Sequence, residues 1–403
     1  MTLWLTRGSR GIRVWLGWAG RGVVVMVGCA LPLAAVACSS STPMPTTPSG
    51  QVGFSSCGSL QSNTAYTLKT DLSSSSATCL LIQSATSVQL DCQQHVVPNI
   101  SVINGSGVTL RNCTVTGVVS ITTSHNVDLT MSTVSGGVIV GTSTSVLIDH
   151  STISAPINAT IAVQIVAGTN DQLQQDTISL SGNGGFEAVY LAAGTGNEVL
   201  QSTVTGTYAE TFAQAGPDDG ILLDGESGDT IRGNIINGFW DTAVEGIDTI
   251  ANTSINDNTM SKIGTAAIGS YWCTNWTNNT VQSNTVSEAP RLIFIYYETG
   301  TPQCGGSFPP PVFAGNQFVS NTLQDVIPGL GFVNIPKMSV VFASGHVENN
   351  VLQGNNFGTY DGPFLSPLSG FTDGGGNICG PLNPSLTNFV CSGGSGAVHR
   401  RRR

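Results

Sequence analysis

Charge is what this sequence has least of. Only 9% of its 403 residues are Asp, Glu, Lys or Arg, while hydrophobic residues make up 40%. A disordered chain would be more charged and less apolar, so the composition is that of a folded protein. The few bases gather at the ends: Arg7, Arg10, Arg13 and Arg21 precede the body, and Arg400 to Arg403 close the chain. Between residues 39 and 399, 24 acids stand against three Lys and three Arg, a net charge of −18. Such a body offers nothing to neutralise a phosphate backbone, which argues against nucleic acid as a partner. No CxxC pair occurs and there are only five His, which argues against a zinc site. The apolar run near the N-terminus is too short for a spanning helix, which needs about 20 apolar residues. Apolar residues also recur without a helical period, and the strong helix formers are too sparse for a helical domain.

What the chain does have is repetition. Leu110-Arg111-Asn112-Cys113-Thr114-Val115 reads apolar, two residues, small polar, one residue, apolar. Nine further copies begin at Leu129, Ile148, Leu173, Val199, Ile231, Ile255, Val281, Phe318 and Leu352, at steps of 19 to 37 residues. Repetition at this period means stacked units instead of one globular core. Between the copies lie short β-rich runs, among them Ala162 to Val166, Ala188 to Ala192, Gly220 to Asp224 and Ala243 to Ile247. Two strands per repeat, with Gly and Asn at the corners, predict a coil of parallel strands in which Asn side chains ladder from turn to turn.

The pattern resembles the right-handed parallel β-helix superfamily, which includes pectate lyases and polygalacturonases. The resemblance covers residues 80 to 380 and implies an all-β solenoid of about ten coils. Its domain is placed at residues 56–391, followed by a disordered basic tail at 392–403.

Residues 1–38 read as an export signal: four Arg, a short apolar run, then Ala35-Val36-Ala37-Cys38-Ser39. That ending resembles a bacterial lipobox, which implies a lipid on Cys38 as the sole membrane contact and places the protein in the cell envelope. Residues 39–55, rich in Ser, Thr and Pro, then read as a tether. Beyond Cys38 the eight remaining Cys suggest disulfides. Sequence cannot fix their pairing; neighbours would give Cys57–Cys79, Cys92–Cys113, Cys273–Cys304 and Cys379–Cys391. Cys92 and Cys113 lie about one coil apart.

Eleven of the 24 acids fall between Glu187 and Asp248. Aligning the strands on Ala188, Gly220, Ala243, Ala266 and Leu292 sets Glu187 beside Asp219 and Asp218 beside Asp241, with Asp224 and Glu245 near. Stacked carboxylates repel, so one of them holds a proton beside an ionised partner, the pairing that glycosidic-bond cleavage uses. Asp218, Asp219, Glu187 and Asp241 are therefore the catalytic candidates. Tyr190, Asp224, Glu245, Trp240, Tyr296 and Arg291 are the candidates for holding a sugar. Asp218-Asp219-Gly220-Ile221 resembles the paired-Asp strand of polygalacturonases, an inverting family, and the resemblance carries Asp218 and Asp219 over as acids. The Gly-His-Gly and Arg-Ile-Lys segments of that family are missing, so uronate is disfavoured and a neutral polysaccharide preferred. A lyase would need a base that this region lacks. No cofactor is implied; calcium is the one cation the acids could take. The expected protein is a monomer. The competing functional reading is a noncatalytic surface module that binds glycan or protein, and the plainest reading of the acids is a solvated face that keeps the solenoid soluble.

Overall fold

The computed structural model describes residues 51–74, 78–156, 160–181, 186–208, 217–271, 274–296, 311–324, 341–343, 345–357, 365–366 and 369–378. Among them there is no helix, and the strands form all-parallel sheets of 14, 13, 10 and 4 strands. In the larger sheets each strand pairs with its counterpart one coil earlier and one coil later. This is the right-handed parallel β-helix that the repeats imply.

Each early coil has three strands, not the two read from sequence. One coil runs Val119–Thr122, His125–Thr130 and Thr133–Val134. The third strand is only the tail of the repeat phrase, too short to announce itself by alternation. Later coils gain a fourth strand, beginning with Thr249–Ala251, which pairs in turn with Asn275–Thr277 and its successors.

The phrase positions explain the core. Its first residue forms an unbroken column: Leu110, Leu129, Ile148, Leu173, Val199, Ile231, Ile255, Val281, Phe318 and Leu352 pair coil to coil. All ten are buried. Its last residue forms a second buried column from Val115 to Leu323 and Phe357. Burying such a side chain stabilises by about 1.5–3 kcal/mol. The third residue turns the corner with positive φ, even at Met131 (50°), His150 (50°) and Gln175 (54°). The fourth residue, small and polar, is a ladder rung. Asn258 Oδ1 accepts the Asn234 N–H at 2.9 Å, Asn284 Oδ1 accepts the Asn258 N–H at 3.0 Å, and the series continues through Asn321, Asn355 and Asn377. A second ladder five residues earlier on the coil runs Asn279, Asn316, Asn350. Buried corner amides thereby find partners, which a turn inside a solenoid must provide.

Two of the four expected disulfides are formed, Cys57–Cys79 and Cys92–Cys113. Cys273, Cys304, Cys379 and Cys391 lie outside the described residues, as do Cys38, the export signal and the basic tail. The boundary at residue 56 moves: Gln51–Phe54 already pairs with Ala65–Leu68, so the last residues assigned to the tether are the first strand of the 14-stranded sheet. The alternation of that strand is weak because it is an edge, largely exposed. Among the described residues no helix is long and apolar enough to cross a membrane.

Candidate active site

The acids converge on three neighbouring strands of the 13-stranded sheet: Glu187–Ala192, Asp219–Asp224 and Thr242–Ile247. In-register pairing stacks Glu187 on Asp219 and Asp219 on Thr242. One residue earlier, the Asp241 N–H donates to the Asp218 carbonyl at 2.9 Å, so these two acids also sit on adjacent coils. Tyr190, Leu222 and Glu245 form the next column, and Ala192, Asp224 and Ile247 the one after.

One coil further the alignment slips. Thr242 pairs with Ala266 and Glu245 with Gly269, so the strand is offset by one from the sequence reading, which had set Ala243 opposite Ala266. Two consecutive alanines, Ala266 and Ala267, made the registers indistinguishable, and a one-residue slip exchanges the faces of a strand. Beyond it Gly269 pairs with Phe294.

The side chains then regroup the candidates. Carboxyl oxygens of Asp219, Asp241 and Glu245 all lie within 4.8 Å of one another. The three are buried, with 0% exposure for Asp219, 2% for Asp241 and 3% for Glu245; Glu187 retains 6%. Glu245, read as a sugar contact, thus belongs to the acid cluster. The Asp218 side chain is half-buried and accepts the Trp240 indole N–H. Tyr190 donates its hydroxyl proton to Asp224 at 2.7 Å, forming a second half-buried pair. Arg291 is buried one coil beyond Ala266, its guanidinium 4.4 Å from the centre of the Phe294 ring. The Tyr296 side chain lies outside the described residues.

Sequence reasoning missed Thr242. Both its N–H (3.0 Å) and its hydroxyl (2.8 Å) donate to Asp219 Oδ1. Gly269 leaves room for it, since a methyl there would come within 2.2 Å of the Thr242 methyl carbon. Thr242 stood in the aligned column directly after Asp219, and that adjacency was the available signal. The other Asp219 oxygen meets no N–H or hydroxyl donor and has the Glu245 carboxyl within hydrogen-bonding reach. Two carboxyl groups can share such a contact only if one is protonated. Burial, then the Glu245 charge and hydrogen bond, then the Asp241 charge push the Asp219 carboxyl well above the usual carboxylate range, and Thr242 opposes this. The proton is thereby favoured on the Asp219–Glu245 pair over loss to solvent. The arrangement is a set of buried, mutually crowded carboxyl groups, on strands that also carry a more exposed rim of Tyr190–Asp224 and Trp240–Asp218.

No protein-family model matches the chain, and no curated protein matches it by sequence. Among solved structures it is similar to the A-module of the mannuronan C-5 epimerase AlgE6 from Azotobacter vinelandii, with 12% identity, 82% of this chain and 88% of that one covered, and a TM-score of 0.46. It is also similar to the DFA-IIIase of Arthrobacter chlorophenolicus A6, crystallised with DFA-III (9% identity, 81% and 87% covered, TM-score 0.44). A third is the tailspike protein of the E. coli bacteriophage HK620, in complex with a hexasaccharide (11% identity, 82% and 70% covered, TM-score 0.46). Similarity at this level is a similarity of coil architecture.

Proposed function

We propose that this protein acts on extracellular polysaccharide across the strands Glu187–Ala192, Asp219–Asp224 and Thr242–Ile247, and that the acid cluster cleaves a glycosidic bond. One observation carries the reading: Asp219, Asp241 and Glu245, all buried, hold carboxyl oxygens within 4.8 Å of one another, a crowding that pushes the Asp219 carboxyl well above the usual carboxylate range. Hydrolysis needs that combination, an acid to protonate the leaving oxygen and a carboxylate to meet the oxocarbenium carbon. Asp219 is wholly covered, whereas Asp241 and Glu245 keep a little exposed surface. Glu245 is therefore the group that passes the shared proton outward, and Asp241 the carboxylate that faces the sugar. Oxygens this close suit the retaining spacing of about 5–5.5 Å better than the inverting spacing of about 6.5–9.5 Å.

The rim supplies the binding surface. Tyr190 and Trp240 offer apolar ring faces with polar edges, suited to sugar rings, and Asp218 and Asp224 accept hydroxyl hydrogen bonds. With acids all round, a neutral glycan costs less to bring in than a uronate. The two disulfides fit an oxidising compartment, and a lipid on Cys38 would hold the protein at the cell envelope as a monomer. Calcium is the alternative balance for the cluster's charge, at oxygen distances of about 2.3–2.6 Å.

A second reading, noncatalytic glycan binding, draws on the burial of the acids: the half-exposed groups are those of the rim. Paired variants separate the two. If the cluster is catalytic, Asp219→Asn lowers turnover at least 100-fold while glycan binding persists, with or without calcium. If only the rim acts, Trp240→Ala abolishes binding and no glycan is turned over by the parent.

A further inference from the structure

The ladders are interrupted by acids in the middle coils. Asn234 shows what a rung does: its Oδ1 accepts the Ser202 N–H at 2.8 Å, and its Nδ2 donates to the Val199 carbonyl at 2.8 Å and to Asn258 Oδ1 at 3.0 Å. Two coils earlier the same rung is Asp176. Its Oδ1 accepts the Ser151 N–H at 2.7 Å, as an Asn would. Its Oδ2 takes the place of the amide nitrogen, buried and without a hydrogen-bond partner.

The other ladder repeats the substitution twice. Asp171 Oδ1 accepts the Val146 N–H at 2.8 Å, Asn197 Oδ1 accepts the Asp171 N–H at 3.1 Å, and Asp229 Oδ1 accepts the Asn197 N–H at 2.8 Å. Oδ2 of Asp171 again has no hydrogen-bond partner, and Oδ2 of Asp229 makes no hydrogen bond of normal geometry, with the Thr253 hydroxyl near its carboxyl. Beside them Glu226 is wholly buried; it accepts the Gly194 N–H at 2.7 Å and an Asn197 amide N–H at 3.0 Å, and its carboxyl is within hydrogen-bonding reach of Asp229. Asp171, Asp176 and Asp229 are each at most 1% exposed. A bare negative charge is expensive in such a place, whereas a carboxylic acid has the O–H that can stand in for the missing N–H.

We propose that Asp171, Asp176 and Asp229 occupy Asn rungs as neutral carboxylic acids, so that the middle of the solenoid is locked by protons and loosens when they leave. The protons stay on well past the ordinary carboxylate range. Burial pushes Asp171 and Asp176 up to about 7 and Asp229 up to about 8, each opposed by the backbone N–H it accepts. Asp171 also faces Glu226; Asp176 faces Asp149 and His150, whose charges oppose one another; Asp229 faces Glu226 and the Thr253 hydroxyl. Glu226 is raised by burial and faces Asp224 as well as Asp229. In the unfolded chain these Asp residues release their protons near about 3.9. The folded state therefore binds more protons between that value and pH 7–8. Stability is full below about pH 4 and is lost as pH rises through the folded values. Asp229 lies in the coil that carries Asp219, and Asp171 and Asp176 lie two coils before it, so the candidate site is best supported in acidic surroundings.

The test is thermal unfolding of the full chain at pH 5.5 and 8.5, for the parent, the Asp171→Asn/Asp176→Asn/Asp229→Asn variant and a control, Asp257→Asn, at an exposed corner. The parent is expected to melt several degrees lower at pH 8.5. The triple variant, with true amide rungs, should melt higher than the parent at pH 8.5 and lose most of that pH dependence, while the control retains it. Should the triple variant fail to fold, Asp176→Asn alone carries the same expectation at smaller size. Independently, infrared spectra in the Asp219→Asn background should show a protonated carboxyl band at pH 6 that fades by pH 9. A parent that melts alike or higher at pH 8.5, a variant with the parent's pH dependence, or no carboxyl band at pH 6 would overturn the proposal.

Discussion

Removing one ladder amide in the C-terminal half should destabilise this protein more than removing a surface side chain of any size, and Asn284→Ala is the sharpest case. Asn284 Oδ1 accepts two hydrogen bonds from Asn258, from its N–H and from its Nδ2, both at 3.0 Å. Asn284 Nδ2 donates to the Ile255 carbonyl at 2.8 Å and to Asn321 Oδ1 at 3.0 Å. Alanine removes all four bonds at a fully buried rung. The Asn258 N–H loses its ladder partner outright, at a cost of about 1–3 kcal/mol for an unsatisfied buried group. Asn258 Nδ2 keeps its bond to Ile231 and Asn321 Oδ1 keeps the Asn284 N–H, so these lose only part of their bonding, about 0.5–1.5 kcal/mol each. The total is about 2–6 kcal/mol. Serine should cost less than half of that, because a hydroxyl still accepts the N–H, as Ser151 does for Ser132. Urea unfolding followed by Trp fluorescence reads both variants. An Ala variant within about 1 kcal/mol of the parent, or a Ser variant no better than Ala, would refute the ladder as a source of stability.

Three further outcomes are expected. Leu129→Ala, in the fully buried column between Leu110 and Ile148, should lower unfolding free energy by about 2–5 kcal/mol in the same urea assay. Replacing Cys92 and Cys113 by Ser opens a bond closing a 21-residue separation and should cost about 2–4 kcal/mol, a loss matched by adding reductant to the parent. Thr242→Val removes the hydroxyl bond that favours ionised Asp219. Its proton should therefore be held to higher pH, and the alkaline limb of the activity profile should move up by about 1–2 pH units, from a bond to a charged group of about 1.5–3 kcal/mol; a downward shift would contradict the sign.

What was legible in the sequence follows from which constraints repeat at fixed spacing. The core columns, the αL corner and one ladder are all contained in six consecutive residues, so ten copies displayed them together. The other ladder changes its place along the chain: Ser124 and Ser143 precede the first-ladder rungs Ser132 and Ser151 by eight residues, whereas Asp171, Asn197 and Asp229 precede Asp176, Ser202 and Asn234 by five. That change of spacing, and the mixture of Ser, Asp, Thr and Asn at its rungs, hid this ladder from the repeat phrase. The acid cluster was half legible. In-register stacking correctly set Glu187 against Asp219 and Asp218 against Asp241. Period two gives the face of a residue within a strand, but Asp241 sits at the bend just before its strand, where direction is set by the turn. That is why Glu245 and Asp241 meet at Asp219 while Asp218 turns outward to Trp240. The slip at Ala266–Ala267 has the same origin, two identical small residues with nothing to distinguish their faces.

The measurement that bears most directly on the central claim is release of sugar reducing ends from a panel of neutral and acidic glycans at pH 5.5, by the parent and by Glu245→Gln. The account predicts that the parent releases ends from at least one neutral glycan and that Glu245→Gln, folded and still binding that glycan, releases at least 100-fold fewer. Equal release by both proteins, or none by well-folded parent on any glycan, would contradict the assignment of chemistry to this cluster.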